Sequence, residues 1–126
     1  MAKWINTDVL DGALNVTKTG TRLCVCNAQP ATYADAITNY KLAIKTIAAG
    51  DFTGPAGGDA GGNSRKITVN QQAGITVDLG GTALFIAVCD SVNSKLLLVT
   101  TCTSQVVTAG NTVTIPAFKE EIADPT

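Results

Sequence analysis

The chain has 126 residues, a net charge of −1, only 15% charged residues and no histidine. That length suits one domain, since domains commonly run to about 100–150 residues, and a chain of this size builds a core without staples. No basic cluster exceeds Arg65-Lys66, which excludes nucleic-acid binding driven by counterion release, and the lack of His removes the usual neutral-pH acid/base and the commonest metal ligand.

Residues 1–20, MAKWINTDVLDGALNVTKTG, have no apolar core of signal-peptide length. No later run approaches the ~20 apolar residues of a membrane helix. Synthesis in the cytoplasm and no membrane contact are therefore expected. Ile5, Val9 and the pair Ala13-Leu14 roughly fit a helical stripe, but Gly12 weakens it. The stretch reads as an irregular arm. It either packs on its own domain, with Trp4 covering a core edge, or docks on a neighbouring subunit through Trp4, Ile5 and Leu10. Trp is a frequent interface anchor, and chain ends are mobile unless tied down.

Residues 21–126 read as the β domain. Thr21 to Cys26 alternates as a strand, with Cys24 and Cys26 on one face and Leu23 and Val25 on the other. Two cysteines two apart on one strand fit a disulfide badly, and Cys89 and Cys102 lack zinc-site spacing. Reduced, buried thiols are the default for a chain made in the cytoplasm. A bridge from Cys24 or Cys26 to another cysteine or another chain stays open. Thr32 to Asn39 suits one or two helical turns with Thr32 as the N-cap, and Tyr40 to Ile47 a second strand. Gly50 to Arg65, GDFTGPAGGDAGGNSR, reads as a glycine-rich loop anchored by Phe52. It lacks the phosphate-loop pattern and the alternate oxygen ligands of a calcium loop.

Lys66–Asn70 and Ile75–Leu79 are strands, and Gly80-Gly81 leads into the apolar centre, Gly81 to Thr103. There Ala83–Cys89 and Lys95–Cys102 fold back through Asp90–Ser94, whose Asp, Asn and Ser suit a bend. Pairing Cys89 with Lys95 puts Phe85, Ala87, Leu97 and Val99 on one face and Val88, Ile86, Leu96 and Leu98 on the other. Both faces are apolar, so the hairpin belongs in the middle of a packed domain or against a partner. Phe85, Leu97 and Val99 are the candidate contacts for that partner. Val106-Val107, Thr112–Ile115 and Phe118–Ile122 complete about eight short antiparallel strands, an all-β sandwich or barrel-like fold.

Catalytic constellations are missing. A Ser or Cys nucleophile has no His base, no G-x-S-x-G elbow occurs, and Glu120-Glu121 alternate to opposite faces. No catalytic, cofactor-binding or metal-ligating residue is assigned, and the expectation is a non-enzyme without cofactor.

Four stretches carry a resemblance. WINTDVLDGALNVTKTGTRLCVCNAQPATYADA, DFTGPAGGDAGGNSRKITVNQQAGITVD, IAVCDSVNSKLLLVTTCTSQVVTAGNTVTIPAF and EIADPT, in that order and nearly end to end, resemble small virion structural proteins of tailed phages and prophages. The resemblance lies in the whole pattern, not in a short motif. It implies a capsid decoration (cement) protein that binds the assembled major capsid protein shell and stabilises it. It also implies a location on the capsid exterior and a trimer or dimer at a symmetry axis, with no nucleic acid or membrane partner. In that setting Cys24 and Cys26 become candidates for an intersubunit disulfide formed after lysis. The alternatives are a neck, tail or fibre component, or a carbohydrate-binding β-sandwich. Trp4, Tyr33 and Tyr40 are the only Trp and Tyr available to stack on sugars in the last case.

Overall fold

The computed structural model describes residues 4–125; the first three residues of the expected arm lie outside that range. The fold is all-β with one α-helix. Helix α1 (Thr7–Thr17) is followed by β1 (Arg22–Cys26), a π-helical turn (Asp35–Asn39) and β2 (Lys41–Thr46). A 3-10 turn (Ala49–Asp51) then leads to β3 (Phe52–Gly57), β4 (Arg65–Val69), β5 (Gln72–Thr76), β6 (Gly81–Asp90), β7 (Lys95–Val107), β8 (Thr112–Ile115) and β9 (Phe118–Ile122).

One antiparallel layer has the order β2-β1-β6-β7. Facing it are β3-β4-β9 and the pair β5-β8. These two smaller sheets are one kinked ribbon. Val69 lies opposite Phe118 and Gln72 opposite Ile115, three residues further along each strand, so the register runs unbroken through the bends at Asn70-Gln71 and Pro116-Ala117. The ribbon meets the first layer on one side only. An antiparallel bridge joins Ala43 of β2 to Val77, and the amides of Asp78 and Leu79 both donate to the Leu42 carbonyl at 2.8 and 3.1 Å.

The main core fills the space between the layers: Leu14, Leu23, Leu42, Ile67, Val69, Val77 and Val88 are almost wholly buried there. A second cluster lies on the opposite face of the β2-β1-β6-β7 sheet. Cys24, Cys26, Ala36, Ala87 and Cys89 are its 0%-exposed centre, with Tyr33, Ile37, Tyr40, Ile44, Phe85, Leu96 and Val99 around them. The connection between β1 and β2 therefore acts as a lid on that face. Thr32 caps its helical turn, its hydroxyl accepting the Asp35 amide at 3.1 Å, as its position in the sequence predicts.

The structure corrects the sequence reading in several places. The expected irregular arm is a helix: the Asn6 side chain accepts the Asp8 amide at 2.7 Å as N-cap, and Leu10, Leu14 and Thr17 form the buried stripe. Exposed Val9 and Val16 on the other side blur the period that sequence reading depends on. The expected loop 50–65 contains strand β3, and only 58–64 is a true connection; Phe52 does anchor it, 5% exposed. The central hairpin has another register. Asp90, not Cys89, pairs with Lys95 across the turn; a bulge at Leu97 then shifts the register again, so that Ala87 pairs with Val99 and Phe85 with Thr101, and a second irregularity follows over Cys102–Ser104. β7 is also an edge strand, so only its partner β6 is central.

Candidate functional site

Three features stand out: the thiol cluster, the clamped glycine loop and an open seam between the layers.

The alternation of β1 sends Cys24 and Cys26 to the lid side and Leu23 and Val25 to the main core, as the sequence predicts. Cys89 joins them because β1 pairs with β6, Arg22 lying opposite Cys89 and Cys24 opposite Ala87. The Cys26 thiol donates to the Ala36 carbonyl at 3.7 Å. Burial pushes the Cys26 thiol up to about 12, with Cys89 and Asp35 nearby adding to the effect. A hydrogen bond to Cys89, reinforced by burial, raises Cys24 well above the ordinary thiol range. The same hydrogen bond lowers Cys89, while Cys24 and Cys26 are protonated thiols filling a small apolar space. All three are at 0% exposure and free, so Cys24 and Cys26, the candidates for an intersubunit disulfide, lie under the lid of their own chain rather than at its surface. Among the described residues no group of three or more His, Cys, Asp or Glu is placed to hold a metal ion.

The loop 58–64 is held by β9 and the residues after it. Glu121 accepts the Ala60 amide at 2.7 Å, and Asp124 accepts the Asn63 amide at 2.9 Å. Gly61 and Gly62 adopt φ of +80° and +58°, which L side chains rarely tolerate. Asp59 bonds Lys66 and Lys119, and these hydrogen bonds hold its carboxyl down at about 2. The Ala60 amide, then Lys119, lowers Glu121. Nearby, Arg65 grips Asp11 of α1 through both carboxylate oxygens at 2.7 and 3.2 Å, and Asn63 donates to the Ile5 carbonyl at 3.1 Å. The charge on this side is spent internally, fixing helix to loop.

Across from the Ala43–Val77 bridge the layers do not close. A groove of about 390 Å³ runs between β7, from Thr100 to Val107, and the kink joining β8 to β9, from Val113 to Phe118. Val25, Ala83 and Ile86 line its floor, and none of its lining residues carries a charge. Helix α1 touches β3, β4 and β7 and contributes no residue to the groove lining.

The candidate contact residues are scattered by this geometry. Trp4 stands 73% exposed, so it covers no core edge, whereas Leu10 is 5% exposed and committed to the core. Ile5 is half-buried against the loop through its carbonyl. Phe85 and Val99 are half-buried in the thiol cluster under the β1–β2 lid, and Leu97, displaced by its bulge, packs toward the main core instead. Phe85, Leu97 and Val99 thus do not form one face for a partner; the chain covers most of that face itself. Tyr33 and Tyr40 also pack on the thiol cluster, which leaves them unsuited to stacking on a sugar. The groove escaped sequence reading because it depends on which strand lies at the edge. Its one signal was the uncharged run from Leu96 to Val107.

Compared with protein-family models, curated proteins and solved structures, the chain matches none.

Proposed function

We propose that this protein is a structural component of a tailed-phage virion, and in the first instance a capsid decoration protein bound to the assembled major capsid protein shell. The observation that carries the reading is the ordered, nearly end-to-end resemblance of the four stretches quoted above. Physical features support it. The body is a two-layer β fold covered on both faces of its main sheet, with a helix and loop fixed by the Asp11–Arg65 pair. It also exposes apolar and uncharged surface: Trp4 just before α1, Val9 and Val16 on α1, and the open groove. Such a body suits burial against a neighbour better than binding of a charged ligand. A protein that binds the shell only once assembled stabilises it by mass action.

Imaging of particles with and without this chain, combined with its copy number, tests the reading. Hundreds of copies on the outer shell are expected, and particles lacking the chain should lose their contents at a lower temperature. A dozen copies or fewer at the portal end would make it a neck or tail component instead. Absence from purified particles would refute virion membership.

A further inference from the structure

We propose that two copies of this chain associate edge to edge through β7, as an antiparallel pair across a two-fold axis, each closing the other's groove. The inference concerns the free protein and does not rest on the virion reading.

A sheet edge offers a row of backbone N–H and C=O groups, and proteins normally guard such edges with proline, charge or cover. The other edges of this fold are guarded or short, β5 and β8 running to only five and four residues. β3 carries Pro55, β9 carries exposed Lys119 and follows Pro116, and β2 carries Lys41 and Lys45 and is covered by the Ala43–Val77 bridge. β7 is the longest strand, and from Leu96 to Val107 it holds neither proline nor charge. Among the described residues no strand pairs with its outer side.

The same edge is one wall of the groove, so a strand added there extends the sheet and covers the apolar floor of Val25, Ala83 and Ile86 at once. Backbone edges select a strand as the occupant. The uncharged lining selects an uncharged strand, and β7 of a second copy is one. Self-pairing opposes no like charges, and a two-fold contact is the commonest way for identical chains to meet. The bulges at Leu97 and Cys102–Ser104 leave Leu98–Thr101 as the regular stretch. Directly opposed residues share a face, so the axis must pass through a residue, Val99 or Thr100, rather than between two. Leu98 and Thr100 lie opposite Val88 and Ile86 on the main-core side. Their counterparts from the partner would carry that core across the junction.

Sedimentation equilibrium of the full chain tests this. The wild type should weigh twice 12.9 kDa. Thr101→Lys, at an exposed position on the proposed contact, sets like charges diagonally across the axis and should halve the mass while leaving the circular dichroism spectrum unchanged. Val92→Lys, 81% exposed in the β6–β7 turn, should stay dimeric. As a readout independent of that variant's folding, Val99→Cys and Thr100→Cys are each placed in a Cys102→Ser background and oxidised with copper–phenanthroline. At least one should give a dimer that reductant dissolves. A wild type that is monomeric at every concentration would overturn the proposal, as would a dimer indifferent to Thr101→Lys or an absence of cross-linking in both cysteine variants.

Discussion

Each cysteine is a small apolar side chain first, and its chemistry follows from where the strand alternation puts it. Cys24, Cys26 and Cys89 are at 0% exposure, while Cys102 is half-exposed on the groove wall. A thiol-reactive dye should therefore find at most one of the four cysteines in the folded chain, reacting slowly because burial also raises Cys102. All four should react after denaturation; rapid labelling of two or more in native buffer would contradict this packing. Asp90 is the other residue with a single clear role. The residue is 4% exposed, and its carboxylate accepts from the Val92 and Asn93 amides and from the Asn93 side chain at 2.9, 3.3 and 2.7 Å. The Asn93 bond is the main cause of its lowered pKa. Asp90→Ala strips three donors of their acceptor, whereas Asp90→Asn keeps an oxygen for some of them. Both should lower the urea midpoint, Ala more than Asn, and equal effects would show that the turn does not depend on this carboxylate.

At the level of elements, helix α1 shows how glycine can be either a requirement or a cost. A Cβ on Gly20, just past the helix, would sit 2.5 Å from Val88 Cγ1, so the chain enters β1 only by close approach to β6. Gly20→Ala should cost about 1–3 kcal/mol in urea unfolding, in the range of core overpacking. Gly12 faces open space, with nothing within 4 Å of the point where an alanine methyl would stand. Gly12→Ala should stabilise by about 0.5–1 kcal/mol, and a loss there would mean that the helix needs the glycine for a contact beyond its own fold. The same helix explains what could be read in the sequence. Lys66–Val69 was legible because burial on one face imposes a period of two, and Arg22–Cys26, buried on both faces, was legible because cysteines alternate with Leu and Val. The turn at Ala109–Asn111 was legible through Gly110, which holds φ at +89°. Strand β3 was not, since its sequence FTGPAG has loop composition and becomes a strand only by pairing with β4. The register of β7 was hidden because Leu96-Leu97-Leu98-Val99 gives no alternation to mark a bulge. The groove, which depends on strand order, lay beyond local pattern altogether.

At the scale of the molecule, charge and burial together set how stability depends on pH. Asp59, Asp90, Glu121 and Asp35 all have carboxyls held below their ordinary values by hydrogen bonds, Asp59 down at about 2. A depressed carboxyl contributes stability that is fully present above its unfolded-state pKa, about 4. That contribution is lost as pH falls through the folded value, so the acid limb should lie between about pH 4 and about pH 2. Cys24 and Cys26 act in the opposite direction. Cys26 is raised from 9.0 to about 12, and Cys24 is raised further. Their neutral form is favoured on folding, so this contribution is complete below the unfolded thiol value and drains away as pH climbs toward 12. Lys119, raised mainly by its hydrogen bond to Asp59, adds to the alkaline loss. With no His in the chain, the side chain that most often titrates near neutral pH is missing. Guanidine midpoints measured across pH should therefore form a plateau from about pH 5 to about pH 8, with a fall on either side. Cys26→Ala should lower the plateau by about 1 kcal/mol, as expected for removing a methyl-sized group from a packed site, and make the alkaline fall shallower. A slope within the plateau, or an alkaline fall unchanged by that substitution, would show that the thiol cluster is not the buried, neutral layer that joins the lid to the sheet.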